Sequence, residues 1–126
     1  MSIRIVRLGT PRARDEGVRL GTVRRPPRGV PKSQFATQNW YDVWLPNLAP
    51  SDALFRAITG GSISWQTFAR RYIAEMKKPD AARLLDALAA LSRGANFSVG
   101  CYCEDEDRCH RSLLRQLLNE RGAAVV

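Results

Sequence analysis

All the thiols of this chain, and its only imidazole, fall within one short stretch, Val99-Gly-Cys-Tyr-Cys-Glu-Asp-Glu-Asp-Arg-Cys-His-Arg111. Three kinds of chemistry can be built from it. Cys101, Cys103, Cys109 and His110 are soft donors of the kind that hold zinc or iron. Their Cys-x-Cys-x5-Cys-His spacing differs from paired Cys-x2-Cys knuckles, and adjacent Cys109 and His110 are hard to turn onto one ion. A thiolate nucleophile, Cys103 or Cys109, is the second option. Strand–loop–helix is the layout of rhodanese-like sulfurtransferases and cysteine phosphatases, and Cys103 and Arg108 stand at Cys-x4-Arg spacing. Four consecutive carboxylates, Glu104 to Asp107, fill that loop. A helix N-terminus offers about half a positive charge, so the carboxylates are expected to raise a nearby thiol pKa and repel phosphate.

The third option draws on a distant segment. Arg24-Arg-Pro-Pro-Arg-Gly-Val-Pro-Lys32 cannot be helical, because its prolines fix φ and remove backbone donors. Arg24, Arg25 and Arg28 therefore hang from a stiff, extended arm that loses little entropy on clamping an anion. If that arm folds over Cys109, His110 and Arg111, the arginines hold a phosphate or carboxylate, and His110 acts as a general acid or base. Such a mixed Arg/Cys/His pocket for a small anionic ligand is the leading expectation. Bland readings sit beside it: Cys101 as a buried small hydrophobe, and His110 with Arg111 as a structural helix-start pair.

These residues must be positioned by the rest of the chain. Ile3 to Leu8 and Val18 to Val23 read as strands. Gln38 to Pro50 gathers Trp40, Tyr41 and Trp44, which are expected to anchor the core rather than stack on a base. Ser51 caps a short helix through Ile58 that stops at Gly60-Gly61. Trp65, Phe68, Ala69, Tyr72, Ile73 and Met76 recur on one helical face behind a Ser64 cap. Asp80 is expected to cap a further helix with Leu84, Leu85, Leu88 and Leu91 on one stripe, ending at Gly94. Both helices read as core packing without chemistry. Phe97, Val99, Cys101 and Cys103 share one side of an extended strand. Leu113, Leu114, Leu117 and Leu118 mark the last helix, and Ala123 to Val126 a short final strand. The order predicts an α/β fold: one small domain over residues 1–126, a few-stranded sheet covered by helices.

Composition narrows the classes. A chain of 126 residues, 44% hydrophobic and 25% charged, is an ordinary globular composition. No apolar run approaches the roughly 18 residues of a membrane span. The start lacks a signal-peptide pattern, and an odd cysteine count suits a reducing compartment, so a cytoplasmic protein without membrane partners is expected. The net charge of +8 is uneven: residues 1–32 carry nine basic and two acidic side chains, the remainder eleven and ten. That asymmetry keeps a nucleic-acid-binding module, using the basic N-terminal quarter, open as the alternative.

Four segments carry a resemblance: Arg25-Pro-Pro-Arg-Gly-Val30, Asp42-Val-Trp-Leu-Pro-Asn-Leu-Ala-Pro-Ser51, Trp65-Gln-Thr-Phe-Ala-Arg-Arg-Tyr72 and Cys101 through Leu114. In type and order they are similar to the YeaO-like family, the domain of unknown function numbered 488. Cys109-His-Arg-Ser-Leu113 resembles its Cys-His-Arg branch. The resemblance implies an α/β fold and brings no established reaction.

Overall fold

A computed structural model describes all residues, Met1 to Val126. Four parallel strands form one sheet: β1 (Ile3–Arg7), β2 (Val18–Gly21), β3 (Val43–Trp44) and β4 (Phe97–Cys101), in the order β1-β4-β2-β3. Strand β4, the last in sequence, lies between the first two. Ile5 faces Val99 on one side of it, and Leu20 faces Val99 on the other. Every residue of β4 is buried, as expected of a central parallel strand covered on both faces.

Four helices follow the expected boundaries closely: α1 (Asp52–Thr59), α2 (Trp65–Met76), α3 (Pro79–Leu91) and α4 (His110–Glu120). Ser51 and Ser64 cap α1 and α2, accepting from the amides of Leu54 and Thr67. At α3 the expectation needs correcting. Pro79 takes the first helical position and Lys78 the cap, so Asp80 sits inside the first turn, and the helix ends at Leu91, before Gly94. Proline suits that position because its missing amide hydrogen has no intrahelical partner there.

The core lies between the helices and one face of the sheet. Ile3, Phe97 and Val99 meet Phe68, Tyr72, Leu85, Leu114 and Leu118 there. On the opposite face Arg19 is fully buried and gives two hydrogen bonds to Glu16, at 2.7 and 3.0 Å. Its remaining donors reach the carbonyls of Thr10 and Asn39, while Ser98 donates to Glu16 at 2.6 Å. Burial raises the Glu16 pKa, but the bonds from Arg19 and Ser98 outweigh it and hold the carboxyl at about 2.

Two expectations around the aromatic segment change. Tyr41 is its buried anchor, whereas Trp44 is 44% exposed and Trp40 half-buried. The segment also supplies the edge strand β3, whose two exposed residues offer no alternation to detect. At the C-terminus the final strand reduces to one bridge, Val125 against Ile3.

Candidate functional site

Parallel strands end together at one edge, and the chemistry collects there. Strand β4 delivers Cys101 at its carboxyl end, and the chain turns through Tyr102, Cys103 and a single 3₁₀ turn (Glu106–Arg108) into α4. Cys109 occupies the cap position of α4 and His110 its first residue. Strand β2 ends beside them and continues into Thr22, Val23 and Arg24. Open α/β sheets bind ligands at this edge, where the connections diverge.

The three sulfurs lie within 4.8 Å of one another. Cys101 and Cys109 are buried in a small apolar cluster with Leu8, Val23 and Tyr41, and Cys103 is exposed. The bland reading of Cys101 is therefore right about its burial and incomplete about its company. Charge in such a triangle settles on the most exposed sulfur. Cys103 is held well below an ordinary thiol pKa by the Cys101 and Cys109 thiols, against the effect of its own burial, with the Arg111 charge adding to the lowering. Cys101 is raised by its contacts with the other two thiols, and burial raises it further. In Cys109 the contact with Cys101 acts downward, but the contact with Cys103 and burial outweigh it and carry the thiol up to about 11.

The acidic loop behaves differently from expectation. Glu104 turns to Arg7 and Glu106 to Arg115, at 3.5 and 2.8 Å, and the side chain of Asp105 caps the amide of Asp107. None of these carboxylates is among the groups that raise Cys103.

His110 is buried. Its Nε2 lies 2.7 Å from the Thr22 carbonyl oxygen and its Nδ1 3.7 Å from the Cys109 sulfur. Burial lowers its pKa to about 4, with the Thr22 bond acting the other way. The imidazole is neutral at pH 7, with its proton on Nε2 and its lone pair toward Cys109.

A cavity of about 470 Å³ opens over these groups. Cys101, Cys103, Cys109 and His110 line it together with Arg24, Arg25 and Arg108. The stiff arm does reach the thiol corner. Phe55, Ile58, Trp65 and Phe68 of α1 and α2 form apolar walls, and no carboxylate lines the space. Arg24 spends its donors on the carbonyls of Pro50 and Ala49, while Arg25 makes one exposed pair with Asp52 at 3.3 Å.

Two expected ligand arginines lie elsewhere. Arg28 lines a neighbouring cleft. Arg111 is buried and donates to the carbonyl of Cys103, so it fixes the thiol loop from behind. Its Nε has no partner.

The family model described as "Active DUF488-N3 subclade" matches residues 3–122. The chain belongs to the DUF488 family. Within the DUF488 chain the cysteine triangle, α4 and both flanking strands all fall inside the matched region. No curated protein and no solved structure matches it.

The residues that escaped sequence reasoning are Thr22 and the cavity walls. Thr22 acts through its backbone carbonyl, which no side-chain pattern marks. Trp65 and Phe68 lie on the regular apolar face of α2, and their periodicity is the same whether the face meets the core or a cavity.

Proposed function

We propose that this DUF488 protein binds a small ligand with an apolar or aromatic body and a phosphate or carboxylate group, and presents it to the Cys103 thiolate. The observation that carries the reading is the convergence of the cysteine triangle and the Arg24–Arg25 arm on one cavity whose walls are otherwise apolar. A ligand pocket of this kind buries a hydrophobic body and orients it by a few polar groups. Arg24, Arg25 and Arg108 supply the positive charge. Cys103 supplies a nucleophile that is both ionised and accessible. Neutral His110 and the protonated Cys109 thiol hold the sulfur network in place, and Arg111 positions the Cys103 backbone.

The test uses alkylation. Iodoacetamide modifies Cys103 at neutral pH, and phenyl phosphate slows the reaction by occupying the cavity. Arg24→Gln and Arg25→Gln lose that protection while keeping the unprotected rate. Equal rates with and without phenyl phosphate, benzoate or inorganic phosphate would overturn the reading.

One observation favours a second reading. Zinc–sulfur bonds of about 2.3 Å place tetrahedral ligands about 3.8 Å apart, a modest contraction of the sulfur triangle. Three thiolates would seat zinc or iron with a fourth position open toward the cavity. The support is for the cysteines alone; His110 touches the triangle only through Cys109. Metal analysis of purified protein tests this: stoichiometric metal, lost together with slow alkylation in Cys101→Ser, supports it, and a metal-free folded protein rejects it.

A further inference from the structure

Tyr102 stands between two cavities and lines both. The second is a cleft of about 490 Å³ whose wall includes Arg7, Gly9, Arg28, Trp40 and Tyr102. Nothing in the cysteine chemistry accounts for it. Arg28 is exposed and makes neither an ion pair nor a hydrogen bond. Arg7 has one ion pair, a long contact of 3.5 Å with an 84% exposed Glu104, which is worth little. Trp40 and Tyr102 meet edge to face, with ring centroids 5.8 Å apart. Gly9 takes a φ of +88°, and a Cβ there would come within 2.9 Å of the Trp40 ring. Only glycine lets this turn lie against the indole.

The two cavities are tied by one segment. Arg25 enters the cysteine cavity and Arg28 the second cleft, with Pro26 and Pro27 between them. The Tyr102 hydroxyl donates to the Arg25 carbonyl at 2.8 Å, which clamps the arm at the divide. An extended chain places residues three apart within about 10 Å, so one bound molecule can meet both arginines. Two adjacent cavities, each with arginines and aromatic surface, suit a ligand that repeats anionic groups and flat apolar bodies. A small monoanion would occupy only one.

We propose that the second cleft holds a backbone phosphate of a single-stranded nucleic acid whose neighbouring base enters the cysteine cavity. Arg7 and Arg28 contact the phosphate, Trp40 and Tyr102 offer ring surface to bases, and Phe55 with Trp65 encloses the inserted base. Positive grooves with interleaved aromatics bind single strands in this way. A paired, stacked base cannot enter a concave pocket without being extruded, so a duplex binds more weakly. The basic excess of residues 1–32 supplies the long-range attraction. The base position rests on the ligand-pocket reading above; the phosphate position does not.

Fluorescence anisotropy with a short labelled oligonucleotide tests the proposal, using single-stranded DNA, single-stranded RNA of the same sequence, and the duplex. Either single strand should bind at least about tenfold more tightly than the duplex, and a preference for RNA would mark a 2′-hydroxyl contact. Arg28→Gln should reduce the salt slope by about 0.7, the loss of one phosphate contact on a single strand. Glu104→Gln, which frees Arg7, should tighten binding. Phenyl phosphate should compete with the strand. Duplex binding as tight as single-strand binding, or an unchanged slope in Arg28→Gln, overturns the proposal. Protection of Cys103 by phenyl phosphate without any strand binding overturns it while leaving the ligand pocket standing. Strand binding untouched by phenyl phosphate removes the base from the cysteine cavity.

Discussion

The Nε2 atom of His110 lies 2.7 Å from the carbonyl oxygen of Thr22, across the carboxyl edge of the sheet. A carbonyl can only accept, so this contact decides the tautomer and leaves Nδ1 as the free acceptor beside Cys109. It also ties the stability of the fold to pH. The His110 pKa is about 4 in the fold and 6.5 when free. Between those values the unfolded chain takes up a proton that the folded one refuses. The His110 contribution is complete above pH 6.5, falls as the pH drops toward 4, and levels off below; the loss is about 3 kcal/mol. Chemical denaturation at a series of pH values measures it. His110→Gln should flatten this window, because an amide can still donate to Thr22 and does not titrate.

The cysteines are expected to divide into one reactive and two protected thiols. Cys103 is exposed and held low, whereas Cys101 and Cys109 are buried and held high. Iodoacetamide at pH 7 should therefore add one label to the folded protein and three to the unfolded one. Peptide mass mapping should place the first label on Cys103. Cys103→Ser should abolish the fast phase. A fast label on Cys109 would move the nucleophile to the helix start.

What the sequence made legible follows from how each element signals itself. The stripes of α2 and α4 repeat at helical spacing, and Ser51 and Ser64 are capping residues by chemistry, so these boundaries could be read directly. The arm was legible for the opposite reason: its prolines forbid helix. By contrast Arg12 to Gly17 reads as a polar turn, yet Glu16 folds under the sheet to neutralise Arg19. A single buried pair leaves no periodicity. The same limit hid the division of labour among the arginines. Arg24, Arg25 and Arg28 are close in sequence, but the two prolines between Arg25 and Arg28 carry the last one past Tyr102 into another cleft.

Gly21 should prove intolerant of substitution. A Cβ at this position would lie 2.3 Å from the ring of Tyr41, which is buried beside Cys101 and Cys109. Gly21→Ala must displace that ring, and overpacking of this kind costs about 1–3 kcal/mol. Because Tyr41 helps enclose the buried sulfurs, the variant should also label Cys101 or Cys109 faster under native conditions. A wild-type melting temperature with unchanged labelling would show that the ring moves freely.

The Glu16–Arg19 pair gives the largest expected effect far from any cysteine. Both side chains are essentially inaccessible, at 2% and 0% exposure, and Arg19 has no other carboxylate within ion-pair distance. Glu16→Gln leaves a guanidinium buried without its counter-charge, which costs about 3–5 kcal/mol. Replacing both, as Glu16→Leu with Arg19→Met, removes the stranded charge and should recover much of that loss. The double variant will not be silent, however. Arg19 also holds the carbonyls of Thr10 and Asn39, and Asn39 accepts from the Gly9 amide at 2.8 Å. Those bonds set the turn that lies against Trp40 in the second cleft. The double variant is thus expected to fold, to keep the Cys103 labelling rate, and to lose affinity for a single strand. Recovery of stability together with wild-type strand binding would detach the buried pair from the cleft.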